Sequence, residues 1–135
     1  MDEEIQALLR KARRKLQAGE SALSQGFPEE AASDAYYAMY HAAKAMLLPR
    51  APRVRKHGDV RVKFKELLVD AGKVDNRFDS YLDQGLKTRH FADYETDLGV
   101  SVSSEEAEQV LARASEFVTM AEDFLKGTGG KSENP

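Results

Sequence analysis

Apolar residues at Ile5, Leu8, Leu9, Ala12, Leu16 and Leu23 recur at the three- and four-residue steps of one helical face, with Lys and Arg between them. This spacing predicts a first helix ending near "SQGF". Pro28 supplies the fixed φ suited to a first helical position, and Glu29 and Glu30 follow where the helix dipole favours acids. A second helix is therefore expected from Pro28 to Leu48, stopped by Pro49 and Pro52. It carries alanines, Tyr36, Tyr37, Tyr40 and His41 on nearly every side, so it should be central, packed on more than one face. It should also leave apolar surface that a lone bundle cannot cover. After a Pro- and Arg-rich loop from Pro49 to Gly58, Val60, Phe64, Leu67 and Leu68 mark a third helix closed by Gly72. Asp75 caps a fourth, carrying Phe78, Leu82 and Leu86. Residues 98–102 read as loop. Ser103 or Ser104, followed by acids, opens a last helix whose buried stripe is Ala107, Val110, Leu111, Ala114, Phe117, Val118, Ala121 and Leu125. The pattern holds no strand alternation and no repeat. It predicts an all-α, antiparallel four-helix bundle with an additional short helix, one domain over residues 1–126 with a flexible tail at 127–135.

Composition narrows this picture. Of 135 residues, 41% are hydrophobic and 32% charged, ordinary for a globular domain of a size that buries one core. The absence of cysteine excludes a disulfide framework, a thiolate metal site and a cysteine nucleophile. The first residues are acids before an amphipathic pattern, unlike a signal peptide, and no apolar run approaches a membrane span, so a cytoplasmic protein is expected. The net charge of −3 is unevenly spread: Arg10 to Lys15 and Arg50 to Lys65 are basic, while the chain from Glu95 onward is acidic. Arg53, Arg55 and Lys56 in the basic loop are candidate ligands for an anion such as RNA or a nucleotide, and should then face the same side as Arg89. The alternative is a set of solvated helix faces and a charged loop.

Candidate chemistry is sparse. His41, His57 and His90 offer no i, i+4 pair and no ligand partner, so no metal site is expected, and "GTGGK" lacks the strand and helix of a phosphate loop, so no cofactor is expected either. In the second helix Ser33, Tyr37, His41 and Lys44 share one polar stripe. It reads either as a wall of hydrogen-bonding groups facing a nucleotide or second protomer, or as buried side chains whose polar ends find internal partners. The stretch "GLKTRHFADYETDLGV" groups Arg89, His90, Asp93 and Tyr94. The fork of an arginine makes bidentate bonds to phosphate and stays charged. Arg89 and Asp93 are one turn apart and could simply pair. Arg89 and Tyr94 are separated by about 140° on a continuing helix, so they converge only if it bends or ends between them.

Two segments, "AASDAYYAMYHAAKAML" and "HGDVRVKFKELLVDAGKVD" leading to "LKTRHFADY", together resemble the HEPN family of small helical nucleotide-binding domains, over Ile5 to Leu125. The resemblance implies a helical bundle that forms a homodimer, encoded beside a minimal nucleotidyltransferase in a toxin–antitoxin pair. Many members are metal-independent ribonucleases with an arginine, a polar residue, and a histidine four to six places past the arginine. Arg89 matches the arginine and His90 the polar position, but the histidine position holds Tyr94, and the tyrosine modified in some toxins is matched by Thr96. A base for a ribose hydroxyl should titrate near neutrality, and a phenol with a pKa of about 10 stays protonated there. His90, with an ordinary imidazole pKa of about 6.5, could substitute. The candidate catalytic set is thus Arg89, His90 and Tyr94, and the candidate ligand-binding set Arg89, Asp93, Tyr37, His41, Lys44, Arg53, Arg55 and Lys56. The leading function is a phosphate-binding partner of a minimal nucleotidyltransferase. A ribonuclease toxin using Arg89 and His90, and a structural dimerisation module without ligand, are the alternatives.

Overall fold

A computed structural model describes residues 2–54, 57–94 and 102–127, with the backbone alone for 57–58 and 90–94. Helix α1 (Glu3–Ser24) begins where Asp2 Oδ1 accepts the Glu4 backbone N–H at 2.6 Å. Gly26, at a φ of 88° that a side chain would strain, turns the chain into α2 (Pro28–Leu47), with Pro28 at its first position as expected. So short a link folds α2 back along α1. Helix α3 (His57–Phe64) runs into a π-helical turn, Lys65–Val69, closed by a 2.7 Å bond from Asp70 N–H to Lys65 O. Hydrophobic periodicity does not register that turn. Val60, Phe64 and Leu68 are fully buried at four-residue steps, which drift around a regular helix, and an underwound turn offsets the drift. Gly72, at φ 77°, ends the segment. Asp75 Oδ1 accepts the Arg77 N–H at 2.9 Å and starts α4 (Arg77–Tyr94). Helix α5 (Ser104–Gly127) opens on a reciprocal cap, the Glu106 N–H donating to Ser103 Oγ at 3.0 Å and the Ser103 N–H to Glu106 Oε1 at 2.9 Å. The helices form an all-α bundle of four long elements and one short one, and the tail beyond Gly127 lies outside the described residues.

Helix α2 is the axis, in contact with all four other helices. Its centrality was legible, but one expectation attached to it fails. The alanine-rich and aromatic helix was expected to leave apolar surface that a lone bundle could not cover. Instead Ala31, Ala32, Ala35, Ala38, Ala42, Ala43 and Ala45 are all fully buried within one chain. Small side chains let neighbouring backbones close in, and glycines extend the effect. A Cβ on Gly19 of α1 would sit 2.7 Å from Leu111 Cδ2 and 3.2 Å from Ala31 O. Across the bundle Phe117 meets Phe64 at 5.3 Å and Phe78 at 5.7 Å between ring centroids. Arg13 clamps α1 to α5, donating to Glu122 at 2.9 and 2.7 Å, and this bonding holds the Glu122 carboxyl below the usual range.

Candidate functional site

From Ala31 to Leu47, the residues of α2 that reach solvent are Ser33, Asp34, Tyr37, His41 and Lys44. The polar stripe seen in the sequence is therefore the open side of an otherwise enclosed helix. Helix α4 crosses close to it because Gly85 has no side chain: a Cβ there would lie 2.6 Å from Met39 Cε and 3.5 Å from Tyr36 Cδ1. One turn on, on the same helical face, comes Arg89. Its guanidinium carbon lies 4.9 Å from the Tyr37 ring centroid and 5.7 Å from that of Tyr36. Cation–π contacts seat the guanidinium on the two ring faces and fix its orientation.

The rings form a continuous aromatic surface. Tyr37 stands edge-on to Tyr36 at 5.3 Å and to Tyr40 at 6.3 Å, and His41 lies 5.4 Å from Tyr40 and 6.3 Å from Tyr37. Tyr36 is buried, and burial pushes its hydroxyl up to about 12, against the pull of Arg89 and Arg61. Burial, then Tyr37, raises Tyr40 as well. These phenols are neutral at physiological pH and serve as packing and hydrogen-bonding groups, not as bases.

Helices α1 and α3 bring further charges. Lys15 Nζ of α1 lies 5.8 Å from the Tyr37 ring centroid and 3.7 Å from Asp34 Oδ1. Burial raises the Asp34 carboxyl, against the opposing pull of Lys15. Arg61 of α3 pairs with Asp79 at 3.5 Å and Asp83 at 2.9 Å, and Asp83 with Lys87 at 3.0 Å. Bonding to Lys87, with Arg61 beside it, lowers the Asp83 carboxyl.

Of the residues nominated from sequence, the structure brings Arg89, Tyr37 and His41 together, with Lys44 farther along the same open stripe. Arg53 does not join them. It lines a separate hollow of about 430 Å³ with Ala51, Pro52, Val54, Asp59 and Lys63. The basic segment does not gather on one side either: Arg50 stacks on Phe124 of α5 at 5.4 Å, Arg61 engages α4, Lys63 pairs with Glu66 and Lys65 with Asp70. Turning through a loop, a helix and a π turn disperses charges that are contiguous in sequence. Arg55 and Lys56 lie outside the described residues. Helix α4 continues unbroken through Tyr94, so the bend or end that convergence of Arg89 and Tyr94 would require is not there, and the two positions stay about 140° apart on one helix. The side chains of His90, Asp93 and Tyr94 are outside the described set. Sequence reasoning did not single out Tyr36, Lys15 or Arg61 as site residues. A usable signal was the Gly85–Arg89 spacing, which marks a close helix crossing one turn before a cation.

Residues 5–124 match the model of the HEPN domain. Two proteins of Methanocaldococcus jannaschii are similar over most of their length. "Putative toxin MJ0605" is 33% identical over 92% of this chain and 90% of its own, and "Putative toxin MJ0142" is 29% identical over 90% and 82%. A "UPF0332 protein" of Archaeoglobus fulgidus is 31% identical over 91% of this chain and 96% of its own.

Proposed function

We propose, on the premise that the chain belongs to the HEPN domain family, that it is a toxin-like protein that binds RNA or nucleotide phosphate through Arg89, as a homodimer and as the partner subunit of a minimal nucleotidyltransferase. One observation carries the reading: Arg89 is held on the faces of Tyr36 and Tyr37, at the open stripe of the central helix. A guanidinium oriented in this way needs little further ordering to make bidentate bonds to a phosphate. The toxin-like character is drawn from the names of the two Methanocaldococcus relatives. The partner subunit follows from the family resemblance alone.

Binding without robust cleavage is the favoured form. Tyr94 stands where a ribonuclease of this family would have its histidine, and an ordinary phenol does not take a proton near neutrality. The second reading, a metal-independent ribonuclease, is favoured by His90 next to Arg89, an imidazole able to serve as base. Incubating purified protein with RNA in EDTA separates the two. We expect no cleavage above background, together with RNA binding that weakens steeply as salt rises and falls at least tenfold in Arg89→Ala. EDTA-resistant cleavage that disappears in His90→Ala would establish the ribonuclease instead. A melting temperature lowered in Arg89→Ala with RNA binding unchanged would leave Arg89 a structural residue.

A further inference from the structure

Two cations meet at one ring. The Tyr37 ring carries Arg89 from α4 at 4.9 Å and Lys15 from α1 at 5.8 Å, so residues 74 positions apart in sequence reach one ring on the open stripe of α2. The bland explanation of Lys15 is that it neutralises Asp34. The geometry argues against this as its whole role. The pair is 3.7 Å apart, longer than a hydrogen bond, and the lysine side chain is 40% exposed, the kind of contact whose worth is small and whose lysine is free to swing. Burial also outweighs the lysine at Asp34, whose carboxyl is raised and not lowered. The basic run Arg10 to Lys15 is moreover divided by helical phase. Arg13, about 200° around the helix from Lys15, is committed to Glu122 of α5, which leaves Lys15 as its sibling on the α2 side.

We propose that Lys15 is the second cation of this site, taking the phosphodiester next to the one held by Arg89 on a single RNA strand laid along the open stripe of α2. The assignment rests on the phosphate reading of Arg89. It adds a ligand from the first helix, and it selects a strand with successive phosphates over a lone nucleotide. Asp34 is then the internal competitor for Lys15: it holds the ammonium loosely in the absence of ligand and gives it up to a phosphate.

The test is anisotropy titration of a short fluorescent single-stranded oligoribonucleotide at several salt concentrations, with adenosine monophosphate in a parallel arm. Lys15→Gln should weaken RNA binding roughly three- to tenfold, as for loss of one partly exposed charged contact. It should make the plot of log affinity against log salt shallower by about 0.7, one phosphate contact on a single strand. Lys15→Arg should restore both, and adenosine monophosphate binding should be unaffected in Lys15→Gln. Asp34→Asn should tighten RNA binding, an effect of opposite sign that a purely structural ion pair does not produce. Unchanged RNA affinity and salt slope in Lys15→Gln, with Arg89→Ala still binding weakly, overturns the role of Lys15 alone. Equal loss on the monophosphate overturns the separate phosphate. Absent RNA binding in the wild type, or undiminished binding in Arg89→Ala, removes the phosphate reading and this assignment with it.

Discussion

Tyr36 and Tyr37 are neighbours in sequence with different environments, and the site depends on the difference. Tyr36 points into the bundle and its hydroxyl is pushed up to about 12, chiefly by burial, while Arg89 pulls the other way. Its folded pKa thus lies above the unfolded value of about 10. Below that unfolded value the group leaves stability untouched, and as pH climbs from about 10 towards about 12 the unfolded chain releases the proton first and stability falls. Phenolate absorbance should show one tyrosine ionising late. Arg89→Ala should push it later still, because an attractive charge is lost, and an unchanged late tyrosine would mean that the guanidinium is not where the structure places it. Tyr36→Phe should remove the alkaline loss and leave RNA binding intact, since the ring face remains.

The elements were legible because each one starts or stops on local chemistry. Pro28, Asp75, Gly72 and the Ser103–Glu106 box act over three or four residues, and the structure uses all of them as the sequence implies. Relations between elements were much harder to read. The chemistry of Arg89 was visible, but its seat on Tyr37 required knowing that α4 crosses α2 at Gly85. Lys15 and Arg61 were visible only as members of basic runs, because charge counting carries no information on helical phase. The π turn was invisible for a related reason, since a pattern of buried residues does not report how the backbone between them is wound. The crossing at Gly85 is itself testable. Gly85→Leu must push α4 away from Met39 and Tyr36, and overpacking of this kind costs about 1–3 kcal/mol, only partly offset by leucine's better helix propensity. The melting temperature should drop by several degrees, and RNA affinity should drop with it because Arg89 is carried off its rings. A stability loss with full RNA affinity would show that the crossing does not position the arginine.

For the whole molecule, coverage of the alanines within one chain changes where a second copy would attach. The alanine face gives no reason for dimerisation, and the polar and aromatic stripe is assigned to the RNA strand, so a second copy would have to attach away from both. Light scattering at micromolar protein should still give a dimer mass, and Ser33→Arg, a long charged side chain placed on that stripe, should leave the mass unchanged and should not lower the melting temperature. A monomer mass for the wild type across that range would remove the dimer. The enclosure of α2 also has a consequence for the chain as it is made. Helix α2 ends at Leu47, and α5, which packs against it, begins at Ser104, roughly 60 residues later. At about 5–20 residues added per second, a ribosome exposes the alanine and aromatic face for several seconds before its cover is synthesised. During that interval the nascent chain presents to chaperones and to any neighbouring partner an adhesive helix that the finished protein hides.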